Sequence, residues 1–153
     1  MPLTDVVALD AIIPALKANS KKQAIQAIAE KAAELTGLPE REIFETLLQR
    51  EKLGSTGVGG GIAIPHGKLP SLDRIFGLFA RLPKPIDFEA LDDQPVDLVF
   101  LLLAPEGAGA DHLKALARVA RLLRDPDVAR KLRESRDADA IYAVLAMPSA
   151  SAA

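Results

Sequence analysis

Apolar positions along this chain fall into three kinds of run: short ones broken by proline, longer ones at helical spacing, and two too apolar to alternate. Met1 to Ala8 shows no clear period and predicts a loosely packed arm. Ala11-Ile12-Ile13-Pro14-Ala15-Leu16 is apolar but interrupted by proline, which suits an edge strand. From Ser20 the spacing turns helical. Ser20-Lys21-Lys22-Gln23 reads as a capping box, Ile25, Ile28, Ala29, Ala32 and Leu35 form one stripe, and Gly37 closes the helix. A second helix opens at Pro39, turns Ile43, Phe44, Leu47 and Leu48 inward and ends at Gly54, with Arg50 in its last turn.

The two continuous runs are Arg74 to Arg81 and Val96 to Ala104. Both predict strands covered on both faces. Leucine content also suits the second to a buried helix, but Pro95, Pro105 and its length favour a strand. Between them, Leu82 to Phe88 carries two prolines and predicts a loop, with Asp92 and Asp93 at its far end. After the loop Glu106 to Ala110 comes a third helix. Asp111 is its expected cap, Leu113, Leu116, Ala117, Ala120 and Leu123 its expected buried stripe, and His112 stands in its first turn. Two short helical patterns follow, Pro126 to about Glu134 and Ala138 to Ala146, with Val128, Leu132, Ile141, Val144 and Leu145 inward. Met147 to Ala153 predicts a frayed tail.

This order implies an α/β fold: a single-domain sandwich over residues 1–153, with a mixed sheet of about five strands and helices on both faces. Composition agrees, since 153 residues at 49% hydrophobic content suffice for one core. A net charge of -2 with no unbalanced cationic cluster gives no electrostatic reason to expect nucleic acid. Absence of cysteine and of a leader-like N-terminus points to the cytoplasm. No membrane insertion is expected either, because apolar runs such as Leu98 to Ala104 are far short of the roughly 20 residues a span requires.

Candidate chemistry concentrates in Gly54-Ser55-Thr56-Gly57-Val58-Gly59-Gly60-Gly61-Ile62-Ala63-Ile64-Pro65-His66-Gly67-Lys68. A glycine-rich loop runs into a short apolar strand that ends on one of the chain's two histidines. Pro65 should stop sheet pairing just before His66, and Gly67 should let the backbone turn away behind it. A P-loop does not fit, because Gly61 and Gly67-Lys68 are one residue too far apart and Leu69 replaces the hydroxyl. The dinucleotide fingerprint fails at Ile62, where its third glycine belongs. A metal site would rest on two histidines, no cysteine and unplaced carboxylates. Phosphoryl transfer has a physical case. Neutral imidazole is a competent nucleophile near pH 7, and loop N–H groups as at Gly57, the hydroxyls of Ser55 and Thr56, and Arg50 could hold phosphoryl oxygens. The residues alone leave this reading and that of a plain turn with a surface histidine both open.

The order Glu51, six residues, Val58-Gly59, two residues, Ile62-Ala63-Ile64-Pro65-His66-Gly67 resembles the phosphohistidine signature of the mannitol/fructose-type IIA domains of the bacterial phosphotransferase system. The resemblance extends from about Leu9 to Ala146. Arg50-Glu51-Lys52-Leu53-Gly54-Ser55-Thr56-Gly57, Ile64-Pro65-His66-Gly67-Lys68-Leu69 and Asp92-Asp93-Gln94-Pro95-Val96-Asp97-Leu98 look most like its nitrogen-regulatory branch. It implies that His66 is the phosphoacceptor, that Arg50 lies by the phosphoryl group and that His112 is the second active-site histidine. At a helix start, His112 would be disfavoured as imidazolium while the dipole attracts an anion. An acidic residue near Asp92 or Asp93 can approach the histidines in the family; which one is left open. The implied donor is a small phosphohistidine protein resembling HPr, in its nitrogen-branch form, with phosphoenolpyruvate at the head of the chain. Implied targets are regulatory, such as transporters and sensor kinases, and no metal or organic cofactor is needed. The alternative is a sugar-specific IIA that hands the group to a IIB domain. Ile62, Ile64 and Leu69 would either dock the donor or belong to the core.

Overall fold

The computed structural model describes residues 3–147. Its organising element is strand β6 (Val96–Pro105), in which every residue from Leu98 to Ala104 is buried. A strand of alternating polarity would leave one face wet, so this continuous run requires cover on both sides. Strand β5 (Phe76–Ile86) lies antiparallel along one edge of β6, and β1 (Ile12–Ile13) adds in parallel outside it. On the other edge β3 (Ile62–Ala63) and β4 (His66–Leu69) both run parallel to β6, and β2 (Gly57–Gly59) pairs antiparallel with β3. The sheet therefore has six strands instead of about five, because Pro65 divides one stretch in two.

Helices α1 (Lys21–Thr36) and α2 (Glu40–Lys52) pack on each other and against β5 and β4. Helices α3 (Ala110–Arg124), α4 (Pro126–Glu134) and α5 (Ala138–Leu145) pack in series, reach β6 and β1, and cover the opposite face. The expected stop signals are used. Ser20 Oγ accepts from Gln23 N–H at 3.2 Å, although the Gln23 side chain answers the N–H of Asn19 instead of Ser20. Gly37 takes φ +75° at the end of α1, a left-handed value that glycine adopts without strain.

Several expectations are corrected. The N-terminal arm is packed from residue 3 onward: Leu3 and Val7 are buried, and Gly77 N–H donates to Val6 O. The segment expected as a proline loop continues β5 to Ile86. Pro83, Lys84 and Pro85 are exposed there, the ladder is irregular between Arg81 and Ile86, and β1 pairs only with Phe79 and Ala80. Missing proline donors cost little on such a free edge. Helix α3 begins at Ala110 after Gly109 with no side-chain cap, so Asp111 is not its cap. Its face is also turned from the expected stripe: His112, Ala115, Val119, Leu122 and Leu123 are buried, Leu116 and Ala120 are half-buried, Ala117 is exposed and Leu113 is 67% exposed. The expected tail falls beyond the described residues except for Met147. Among the described residues, no helix is long and apolar enough to cross a membrane.

Candidate active site

Helix α2 delivers the first part of the site. It stops where Leu53 N–H bonds back to Arg50 O, Gly54 N–H bonds back to Glu51 O, and Gly54 turns the chain at φ +146°. Arg50, in the last turn, folds its guanidinium past that end, donating from Nη1 to Gly54 O at 2.8 Å. The chain then forms the β2–β3 hairpin. Gly60 and Gly61, at φ +66° and +80°, are the pair of left-handed residues that a two-residue hairpin turn requires.

The sheet is interrupted only over Ile64 and Pro65. The Pro65 carbonyl accepts from Leu102 N–H at 2.9 Å, and pairing resumes at His66 itself, opposite Leu102. His66 therefore starts β4, where sheet pairing was expected to have ended. Gly67 is not a turn either: it lies in β4 opposite Leu103, and a Cβ there would stand 2.7 Å from Thr46 Cγ2 of α2. What the glycine allows is close approach of the arginine-bearing helix to the histidine-bearing strand.

The half-buried imidazole of His66 is held at both nitrogens. Nδ1 lies 2.8 Å from Ile64 O, and because a carbonyl only accepts, Nδ1 carries the proton. Nε2 therefore presents its lone pair, and Arg50 Nε–H donates to it at 3.2 Å. Desolvation, then the nearby Arg50 charge, hold the His66 pKa below that of an ordinary histidine, while the Ile64 carbonyl and Glu51 oppose this. His112, 5% exposed, brings its ring centroid to 5.8 Å from that of His66 at an interplanar angle of 51°. Its Nδ1 is buried without a partner among the described residues. Desolvation first, then His66 and Lys68, lower its pKa as well.

Lowered histidine pKa values mean that unfolding takes up protons. The stability they supply is complete above about pH 6.5 and is lost as pH falls through that value toward the folded-state pKa. Urea midpoints of the wild type are expected to drop between about pH 8 and pH 5, and less steeply in His112→Gln. Parallel curves for the two proteins would contradict this assignment.

Arg50, His66 and His112 thus converge. Ser55, Thr56 and Gly57 have other partners: Ser55 Oγ donates to Phe88 O and accepts from Gly57 N–H, while Thr56 directs both its N–H and its hydroxyl to the Glu51 carboxylate. These bonds shape the loop and engage both hydroxyls and the N–H groups of Thr56 and Gly57 within it. Asp92 accepts from Gly60 N–H at 3.0 Å and from Gln94 N–H, which ties it to the hairpin tip near the start of β6, away from the His66–Leu102 register. Ile62, Ile64 and Leu69 are buried and belong to the core. Two residues behind the site carry weaker sequence signals. Glu51 enters only through the signature, and Lys21 only as a cation in a helix's first turn, where the dipole disfavours it.

Residues 6–147 match the family described as phosphoenolpyruvate-dependent sugar phosphotransferase system, EIIA 2. The chain is 76% identical over 153 residues, all of both chains, to a nitrogen regulatory protein of Bradyrhizobium diazoefficiens. Its fold superposes on the nitrogen regulatory protein IIA-Ntr of Neisseria meningitidis with a TM-score of 0.89 at 34% identity, covering 94% of this chain and 98% of that one. A mannitol IIA of Escherichia coli, solved in complex with phosphorylated mannitol IIB, gives a TM-score of 0.76 at 26% identity over 91% and 95% of the two chains. From signature, fold and relatives together, the chain belongs to the EIIA type 2 family of the phosphoenolpyruvate-dependent phosphotransferase system, in its nitrogen-regulatory branch.

Proposed function

We propose that the protein is a phosphocarrier that takes a phosphoryl group on His66 and acts on regulatory targets according to whether it carries it. The observation that supports this most is the state of the His66 ring: its proton is fixed on Nδ1 by Ile64 O, so Nε2 is a ready nucleophile beside a guanidinium. Nε2 attacks the phosphorus of a phosphohistidine donor resembling HPr, in its nitrogen-branch form. A nitrogen–phosphorus bond forms on His66 while the donor's breaks, and the donor imidazole keeps the electron pair. No proton has to leave Nε2 first. Catalysis is then positioning and charge stabilisation: Arg50 turns its N–H groups from Nε2 to the phosphoryl oxygens, and His112, at the positive end of α3, faces the same group. This chemistry calls on no metal or organic cofactor. The reading places the protein in the cytoplasm as a single domain, with transporters or sensor kinases as targets.

The test is intact mass after incubation with phosphoenolpyruvate and the general components of either branch. An acid-labile gain of one phosphoryl group, faster from the nitrogen-branch donor, is the expected result. Likeness to a mannitol IIA held by its IIB favours a second reading, in which the group passes to a IIB domain. Rapid discharge on addition of a IIB domain would select that reading. No gain from either donor would rank the chain as a binding module.

A further inference from the structure

Glu51 follows Arg50 on α2, yet its side chain is 6% exposed and points into the protein. Its carboxylate receives Lys21 Nζ at 2.9 Å from α1, and the N–H and hydroxyl of buried Thr56 from the loop. Lys21 is 16% exposed and lies 5.2 Å from the Phe88 ring centroid, a cation–π distance. A buried ion pair of this kind contributes little net stability, because desolvation offsets much of the attraction. Its value is in what it holds still.

We infer that Glu51, charge-balanced by Lys21, is a positioning residue for the phosphoacceptor, orienting His66 through both of the imidazole's hydrogen bonds. This rests on the phosphocarrier reading. Two routes lead from one carboxylate to one ring. Along the first, Glu51 fixes Thr56, Thr56 O accepts from Ile64 N–H at 3.0 Å, and Ile64 O receives the Nδ1–H of His66. That route sets the tautomer. Along the second, the same anchor fixes the loop that carries Gly54, whose N–H also donates to Glu51 O at 3.1 Å. Gly54 O holds Arg50 Nη1, which leaves Arg50 Nε aimed at Nε2. That route sets the cation. An outer hydrogen-bond partner that fixes tautomer and ring angle is the usual means of holding a working histidine.

Charge balance matters as much as geometry. His66 faces Arg50 and Glu51 from α2 and His112 from α3, with Lys68 of β4 acting on His112. Glu51 raises the His66 pKa and Arg50 lowers it, so Lys21 limits how far Glu51 can favour the unreactive imidazolium. Exposed Glu89, 3.8 Å from Lys21, is a second and weaker partner of that cation.

The experiment is a pH titration of the His66 ring by 15N NMR in the full chain, for wild type, Lys21→Met, Glu51→Gln and the double variant, beside single-turnover phosphoryl transfer. Lys21→Met is expected to move the His66 midpoint up, because Glu51 is left uncompensated. Glu51→Gln is expected to move it down and to mix the two neutral tautomers. The neutral pair Lys21→Met/Glu51→Gln should return the midpoint toward wild type. Transfer to Glu51→Gln should slow about 10- to 100-fold with the donor's KM within about twofold, as a misaimed nucleophile would give. A loop anchor that does not orient the ring would shift the midpoint by its charge but leave the tautomer and the transfer rate as in wild type, and that result in folded variants overturns the inference. If Glu51→Gln does not fold, the tautomer state of the neutral ring in Lys21→Met decides: mixed tautomers support the inference, and a single tautomer unchanged from wild type overturns it. If the wild type takes no phosphoryl group, the carrier reading fails, while the titrations still decide whether Glu51 sets the ring.

Discussion

His66→Ala takes up no phosphoryl group in the intact-mass experiment, a loss of at least about 10⁴-fold, and keeps its fold. The expectation follows from the ring's surroundings. His66 supplies the one nitrogen in the cluster whose lone pair is presented to a cation, through the fixed proton on Nδ1. His112 cannot take over, because its ring is buried at the start of α3 and, among the described residues, no group partners its Nδ1 to fix its tautomer. Folding should survive, since the backbone of residue 66 remains paired with β6 and the lost side-chain bond leaves Ile64 O short of one partner, worth about 1 kcal/mol. Circular dichroism and urea midpoints check the second half of the statement. A retained acid-labile mass gain in His66→Ala would move the phosphoacceptor elsewhere.

Arg50→Lys should be nearly as damaging, with single-turnover transfer slowed about 10²- to 10³-fold although the charge is kept. Arg50 acts as a fork: Nη1 is tied to Gly54 O while Nε faces His66 Nε2. Lysine has one nitrogen for both tasks, on a flexible stem, and would settle on the carbonyl or in water. The positive charge that depresses the His66 pKa would remain close by, so the His66 titration should move little while transfer falls. A rate within about threefold of wild type would mean that charge alone suffices and that the fork geometry is idle.

Much of this arrangement was legible in the residues. Ser20, Gly37 and Pro126 mark helix ends by local chemistry, and they mark them correctly. The run from Val96 to Ala104 is a central strand because only burial on both faces accommodates seven successive apolar residues, Leu98 to Ala104, without a break. Arg50, His66 and His112 were brought together by resemblance to a signature, since their sequence separations alone say nothing of distance. The misses have tertiary causes. Pro83 and Pro85 look like loop residues until β5 is found to bulge out of its ladder with β6 there, beyond the two residues that β1 pairs. In α3, Leu113 and Leu116 trace one stripe and Ala115, Val119 and Leu122 another. Leucine's size favoured the first, whereas packing against the sheet selected the second and turned His112 inward. Lys21 is invisible as a site residue because its partner Glu51 is thirty positions away on another helix.

The bare Cα of Gly67 sets how such a protein could be read by others. With Thr46 only 2.7 Å from where a side chain would begin, α2 and β4 meet without slack, and neither can slide to signal what sits between them. Close-packed interfaces of this sort do not deform gradually. On the phosphocarrier reading, the two forms of the protein would then share one outline and differ in local potential, by the −1.5 to −2 charges, approximately, that a phosphoryl group adds. A partner that tells them apart has to do so as an electrometer, not as a mould.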